Sequence, residues 1–325
     1  PCGTLFPYTT LFRSVIAIGG NSLIPDKQHQ TVEDQYKAAG ETAHHIANMI
    51  EQGWDVAIGH GNGPQVGFIL RRSEIAAKAA GMHEVPLDAC GADTQGAIGY
   101  ALQQNLTNEF KERGIDKTVA TVITQVQVDQ DDPAFQNPTK PIGTFMEEDE
   151  AKKRADTEGW DIVEDAGRGW RRVVASPLPM RIVELPAVQT LLDNEICAIT
   201  VGGGGIPVIE DENGDLKGVP AVIDKDFASS LLAQSINADL FLISTAVEKI
   251  YLNFNTPEQE SIDEMTVSEA KQYLEEGHFA EGSMAPKVRA IIRYLEAGGK
   301  KAIVTDPAHI MEALNGKTGT HIIPD

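Results

Sequence analysis

A chain of 325 residues, 42% of them hydrophobic, is long enough to bury one large core or two modest ones. A formal net charge of −21, from 48 acidic and 27 basic residues, excludes a nucleic-acid partner, which needs clustered Lys and Arg to neutralise phosphates. No apolar run approaches the roughly 20 residues that cross a bilayer, and the scattered Cys2, Cys90 and Cys197 form neither a disulfide framework nor a metal spacing, so no membrane and a reduced, cytoplasmic setting are expected.

Residues 1–14 lack the basic and apolar regions of a signal peptide and are broken by Pro7. They read as a non-native or disordered leader, with the first core strand opening at Val15 (VIAI, 15–18). A helix follows from about Val32 to Gln52. Its apolar residues Val32, Tyr36, Ala39, Ala43, Ile46 and Ile50 step by fours and threes along one face, and Gly53 ends it. WDVAI (54–58) is the next strand, ahead of the loop HGNGPQVG. TVATVITQV (118–126) and ICAITV (196–201) read as strands, the latter running into GGGG. FASSLLAQSI (227–236) reads as a helix, DLFLIS (239–244) as a strand, PKVRAIIRYLEA (286–297) as a helix and KAIVT (301–305) as a late strand. Wholly apolar strands alternating with helices predict an α/β fold with a mainly parallel sheet covered on both faces. The polar stretch from about Gln127 to Arg172 reads as a protruding lid, with a solvated charged helix at 147–154.

Three glycine-rich turns follow strand ends, at Gly19-Gly20, Gly61-Asn62-Gly63 and Gly202 to Gly205. Such turns let backbone N–H groups approach an anion, and ligands of parallel sheets sit at these strand ends. The familiar phosphate motifs fail: Met311 occupies the first glycine position of a P-loop ending in GKT (316–318), and the third glycine of GNGPQVG falls one residue late for a dinucleotide fingerprint. Lys225, between Asp224 and Asp226, and Lys287 both stand at helix starts. A cation there opposes the helix dipole by roughly 0.3–1 kcal/mol. A bound polyphosphate would compensate. His60 either orients its glycine loop or has a structural role, and His44 and His45 read as surface or core-edge residues of a helix.

GGNSL (19–23), HGNGPQVG (60–67), PLDACGADTQGAIGY (86–100), TQVQVDQDDPAFQNPTKPIG (124–143), VVASPLP (173–179), TVGGGGIPV (200–208), AVIDKDFAS (221–229) and GSMAPKV (282–288) resemble, in order, the carbamate kinase branch of the amino acid kinase family. Ala175 stands where the family pattern leads one to expect proline, and Thr144 where the family often has proline. The resemblance implies a three-layer α/β/α sandwich of amino acid kinase type around a mainly parallel sheet. Residues 15–215 would form an acceptor lobe, including the lid at about 127–172, and 216–325 a nucleotide lobe of the same kinase domain. It also implies a homodimer, ATP/ADP with Mg²⁺, and reversible transfer between ATP and carbamate, run to make ATP from carbamoyl phosphate.

By the same resemblance Gly19, Gly20, Asn21, Gly61, Asn62 and Gly63 bind acceptor and phosphoryl group, and Lys225, Lys287, Asp226 and Lys140 are catalytic, with Asp226 holding both helix lysines. Gly203, Gly204, Met284 and Pro286 join the two lysines on the nucleotide side. No dedicated metal cage is expected. Three other readings stay open from the residues alone: a family member with another small acceptor, a nicotinamide-dependent oxidoreductase, and a non-catalytic nucleotide-binding regulator.

Overall fold

The computed structural model describes residues 12–19, 23–24, 28–165 and 169–325. Strand β1 (Phe12–Ile18) is followed by helix α1 (Val32–Glu51), β2 (Trp54–His60), helices α2 (Gly63–Ala80) and α3 (Leu87–Arg113), and β3 (Val119–Thr121). Capping residues set the helix ends. Thr31 and Asp34 form a reciprocal capping box on α1, through the Asp34 N–H to Thr31 Oγ1 (3.1 Å) and the Thr31 N–H to Asp34 Oδ2 (3.0 Å). Gly53, at φ +85°, turns the chain out of α1.

The chain then leaves the main sheet through β4 (Gln125–Val128) and builds the lid from β5 (Lys140–Met146), α4 (Glu148–Glu158), β6 (Asp161–Glu164) and β7 (Trp170–Val174). It returns through β8 (Pro179–Ile182), α5 (Leu185–Asp193), β9 (Cys197–Ile199), β10 (Ile206–Glu210) and β11 (Leu216–Gly218). The last third runs α6 (Lys225–Ser235), β12 (Leu240–Ser244), the hairpin β13 (Ile250–Leu252) and β14 (Glu260–Ile262), then β15 (Glu264–Thr266), α7 (Val267–Glu275), α8 (Met284–Glu296), β16 (Ala302–Thr305), α9 (Ile310–Leu314) and β17 (Thr320–Ile323).

The central sheet has eight strands in the order β15-β17-β16-β12-β1-β2-β9-β3, parallel throughout except between β16 and β17. Its pleat separates two cores. Ile16 and Ile18 of β1 point to one face, packed with α1, α3 and α9. Val15 and Ala17 point to the other, packed with α5, α6 and α8. This is the three-layer sandwich expected from the wholly apolar strands. A smaller sheet, β11-β10-β4-β8, flanks it, and the lid forms its own antiparallel sheet, β5-β7-β6. The charged segment at 147–154 lies on the exposed lid helix α4, which buries Ala151.

The structure moves three expected boundaries. TVATVITQV is not one strand. The Gln95 side chain takes both the N–H (2.7 Å) and the carbonyl (3.0 Å) of Thr124, and the chain turns there from the central sheet into the flanking one. Helix α6 begins at Lys225 rather than Phe227, because the Asp224 side chain accepts from the Asp226 N–H (2.8 Å) and caps it. Strand β1 opens at Phe12, three residues ahead of Val15.

The boundary drawn after residue 14 therefore falls inside a strand. Ser14 is buried and pairs with Leu240, and the Arg13 N–H donates to Asp239 (2.9 Å) while its guanidinium reaches Asp193 (3.0 Å) and Asp55 (3.4 Å). Residues 1–11 lie outside the described part. A chain beginning at Val15 is expected to lose about 2 kcal/mol or more relative to one beginning at Phe12, from several ladder and ion-pair contacts at roughly 0.5–1.5 kcal/mol each. Denaturant melts of the two truncations check this, and equal midpoints would return residues 12–14 to the leader.

Candidate active site

The carboxyl ends of β2, β9 and β12 open onto one cavity of about 560 Å³, roofed by the lid strand β5. Gly61, Asn62, Gly63, Lys140, Gly203, Lys225, Asp226, Met284, Pro286 and Lys287 all line it, although they come from segments more than 200 residues apart. Asn62 holds its loop by donating through Nδ2 to Thr94 Oγ1 (2.8 Å) on α3. The glycine run is held from the same helix, where Gln95 Nε2 donates to the Gly202 carbonyl (2.9 Å). Gly203 has φ +65°, and a Cβ there would collide with the Asn62 side chain, so the two loops interlock through a glycine.

The charges form a connected set. Lys225 pairs with Asp226 Oδ1, and Lys287 reaches Asp226 Oδ2 at 3.1 Å. From the lid, Lys140 pairs with Asp224. Burial pushes the Asp226 carboxyl upward, but the Lys225 and Lys287 charges outweigh it and hold the group below the ordinary carboxylate range. Asp224 is likewise held low against burial, by Lys140 and Lys225. Burial draws the Lys225 ammonium below its ordinary value despite Asp226, whereas for Lys287 the charges of Asp226 and Asp224 overcome burial and raise it. Three lysines against two aspartates leave one positive charge in a chain of net charge −21.

This geometry corrects the account of Lys287. The dipole argument left its charge to be compensated by a bound polyphosphate, while the resemblance gave Asp226 as the residue holding both lysines. Asp226 already compensates it, so Lys287 also supports the ligand-free fold. Gly204 departs as well. It does not line the cavity, and at φ +93° it abuts the backbone carbonyl of Ile223, so it shapes the turn. Gly19 ends β1 with its N–H on the Ser244 carbonyl (3.1 Å) and does not line the cavity either. Gly20 and Asn21 lie outside the described residues.

Sequence reading missed Asp224 as the lid's partner, although its place before a helix start marks it as a cap. It also missed Asp165 and Arg171 (3.1 Å apart), and Tyr251, Phe254 and Phe279, which line the same cavity. Among the described residues no group of three or more His, Cys, Asp or Glu is arranged to hold a metal ion. Cys90 and Cys197 are buried, and burial foremost pushes their thiols up to about 11 and about 12, which fits packing rather than chemistry.

Glycine turns at strand ends, paired lysines at helix starts and a lid that reaches down with a third define a phosphotransferase site. The chain belongs to the amino acid kinase family, whose sequence profile matches residues 13–306. Within that family it is 49% identical over 312 residues to the carbamate kinase of Thermococcus kodakarensis, covering 96% of this chain and 99% of the relative. Its fold superposes on carbamate kinase from Giardia lamblia bound to citric acid with a TM-score of 0.92, at 42% identity and covering 97% of this chain and 99% of that one. The same Giardia enzyme bound to AMP-PNP gives a TM-score of 0.88 at 43% identity, again covering 97% and 99%.

His60 closes β2 beneath the site, with Nδ1 3.1 Å from the Gly61 carbonyl and its ring against Gly202. Burial holds its pKa down at about 4, against the opposing pull of that carbonyl. In the unfolded chain the imidazole takes a proton near pH 6.5. Between those two values the unfolded state binds more protons, so stability is present above about pH 6.5 and is lost as pH falls toward 4. The full loss is about 3 kcal/mol, at roughly 1.4 kcal/mol per pH unit. His60→Gln is expected to flatten the melting-temperature profile across this window, and parallel profiles for the two proteins would remove His60 as the source.

Proposed function

We propose that the protein transfers a phosphoryl group reversibly between ATP and carbamate, and so forms ATP from ADP and carbamoyl phosphate. One observation carries this reading. Each of the three carboxylates lining the cavity is engaged by a cation: Asp165 by Arg171, Asp224 by Lys140, and Asp226 by Lys225 and Lys287. A hydroxyl acceptor needs a free base to take its proton, and the imidazole that lines the cavity, His278, has both ring nitrogens engaged, by Asn253 (3.0 Å) and Glu276 (3.2 Å). A carbamate oxygen is already anionic and needs cations and N–H donors, which is what the cavity offers. The homology to carbamate kinases supports the same acceptor.

Little covalent chemistry falls to the protein in such a transfer, and positioning and charge neutralisation dominate. The N–H groups of Gly61, Asn62 and Gly63, with the positive end of α2 behind them, would receive acceptor and phosphoryl oxygens. Lys225 and Lys287 would flank the moving group, kept in place by Asp226. Lys140 would close the acceptor side with the lid.

Mg²⁺, which neutralises phosphate charge when bound, would sit on phosphate oxygens and water, because the cavity's carboxylates are already engaged by lysines and arginine. The AMP-PNP complex of the Giardia enzyme supports ATP as the nucleotide. The resemblance to carbamate kinases further supports a homodimer, and a cytoplasmic, catabolic role on carbamoyl phosphate from arginine or ureide breakdown. Buried free thiols agree with a reducing compartment.

The direct test is ATP formation from ADP and carbamoyl phosphate, with acetyl phosphate as control. Faster turnover of acetyl phosphate would sink the carbamate assignment. Lys287→Ala is expected to lower kcat by about 10²-fold, as for loss of one preorganised charge-stabilising group. It should also lower stability by about 1–3 kcal/mol, because Asp226 stays buried with one partner fewer. Lys287→Arg should recover stability before it recovers turnover, since a planar fork does not replace a compact ammonium. Kinetics below the variants' melting range separate the two effects, and near-normal kcat in folded Lys287→Ala would remove its catalytic role.

A further inference from the structure

A second cavity, of about 270 Å³, shares strand β5 with the active site. Lys140, Pro141 and Phe145 of this strand line the catalytic cavity, whereas Ile142, Gly143, Thr144 and Met146 line the second one. Its other walls come from α2, α4 and β7. Arg71, Arg72, Arg154 and Arg172, four of the chain's eleven arginines, line it against a single carboxylate, Glu74. Four positive charges around one small cavity run against the composition of a chain with net charge −21.

The arginines are held in different ways. Glu74 accepts from Arg172 (2.9 Å) and from Arg71 (3.2 Å), which ties the lid to α2. Arg71 also lies 3.7 Å from Glu158, which Lys78 holds at 2.9 Å. Arg154 pairs with Glu150 (2.5 Å) on its own helix, and the guanidinium carbons of Arg154 and Arg172 lie 5.0 and 4.8 Å from the centre of the Trp160 ring. Arg72 is exposed and makes no ion pair or hydrogen bond among the described residues. Lid packing accounts for Arg71, Arg172 and Glu74. It accounts neither for Arg72 nor for the open volume beside it.

We propose that this cavity is a second binding site, separate from the catalytic one, for a small anion with two or more negative charges of the polycarboxylate or phosphate type. Guanidinium forks match the paired oxygens of both chemistries. An anion seated there bridges Arg72 on α2 to the lid arginines across the point where a Cβ on Gly67 would strike the Gly143 backbone. The two elements it joins carry the Gly61–Gly63 loop and Lys140, so occupancy is coupled to lid position.

The test is calorimetry on the full chain saturated with AMP-PNP, titrated separately with citrate and with pyrophosphate. At least one probe should bind, and the tighter of the two identifies the chemical class. Arg72→Glu should weaken that binding by about tenfold or more, the effect of losing one charge-assisted contact. The variant should keep the parent's melting temperature and its ATP formation without added anion. Lys287→Ala should leave the binding unchanged. Absence of binding by both probes, equal affinity in Arg72→Glu, or loss of binding in Lys287→Ala would overturn the proposal, the last by placing the anion in the catalytic cavity.

Discussion

A buried carboxylate between two ammonium groups is the constraint on which the site depends. Asp226 lies in the first turn of α6 and Lys287 in that of α8, 61 residues later. A charge taken out of water is tolerated when it is paired and hydrogen-bonded, and an unpaired one costs several kcal/mol. Asp226 therefore fixes the mutual position of two helix starts, and each brings a lysine to the cavity. Two cations that would repel each other in open solvent are kept close by the anion they share.

The same logic extends outward through alternating charges. Asp224 caps α6 through its backbone and holds Lys140 of the lid through its side chain. Cap, lid partner and helix-start lysine thus meet within three consecutive residues, 224–226. A polyphosphate entering this region meets donors that are already oriented, so little reorganisation remains for the reacting state. The glycine loops add donors without side chains in the way, and Gln95 and Thr94 on α3 hold those loops from behind.

Most of the sandwich was legible in the sequence, because its strands are apolar on both faces and end in glycine turns. The two helix-start lysines were legible too, since a cation at that position calls for a nearby anion. From the residues alone the identity of that anion was not, because Asp226 and Lys287 meet only through the packing of α6 on α8, and only the family resemblance gave it as Asp226. The break between β3 and β4 was hidden for a similar reason, as it is made by a glutamine 29 residues earlier in the chain. Arg13 and Ser14 looked foreign because a polar pair at the head of an apolar strand has no local signature. Their partners, Asp239, Asp193 and Asp55, are distant in sequence. The arginine cavity behind the lid likewise draws on four separate segments.

The lid leaves and rejoins the body at one place. Lys140 lies opposite Val174, and Pro141 opposite Val173, so the entering and returning strands are paired at their base. That pairing closes the excursion where it starts, and the residues beyond it add length to a loop whose ends are already joined, at slowly growing entropic expense. The lid is in this sense a cassette. Its tip can be lengthened, shortened or exchanged while the eight-stranded sheet and both its cores remain as they are. Diversification of the lid side of the cavity can therefore proceed independently of the sheet and helices that carry Lys225 and Lys287.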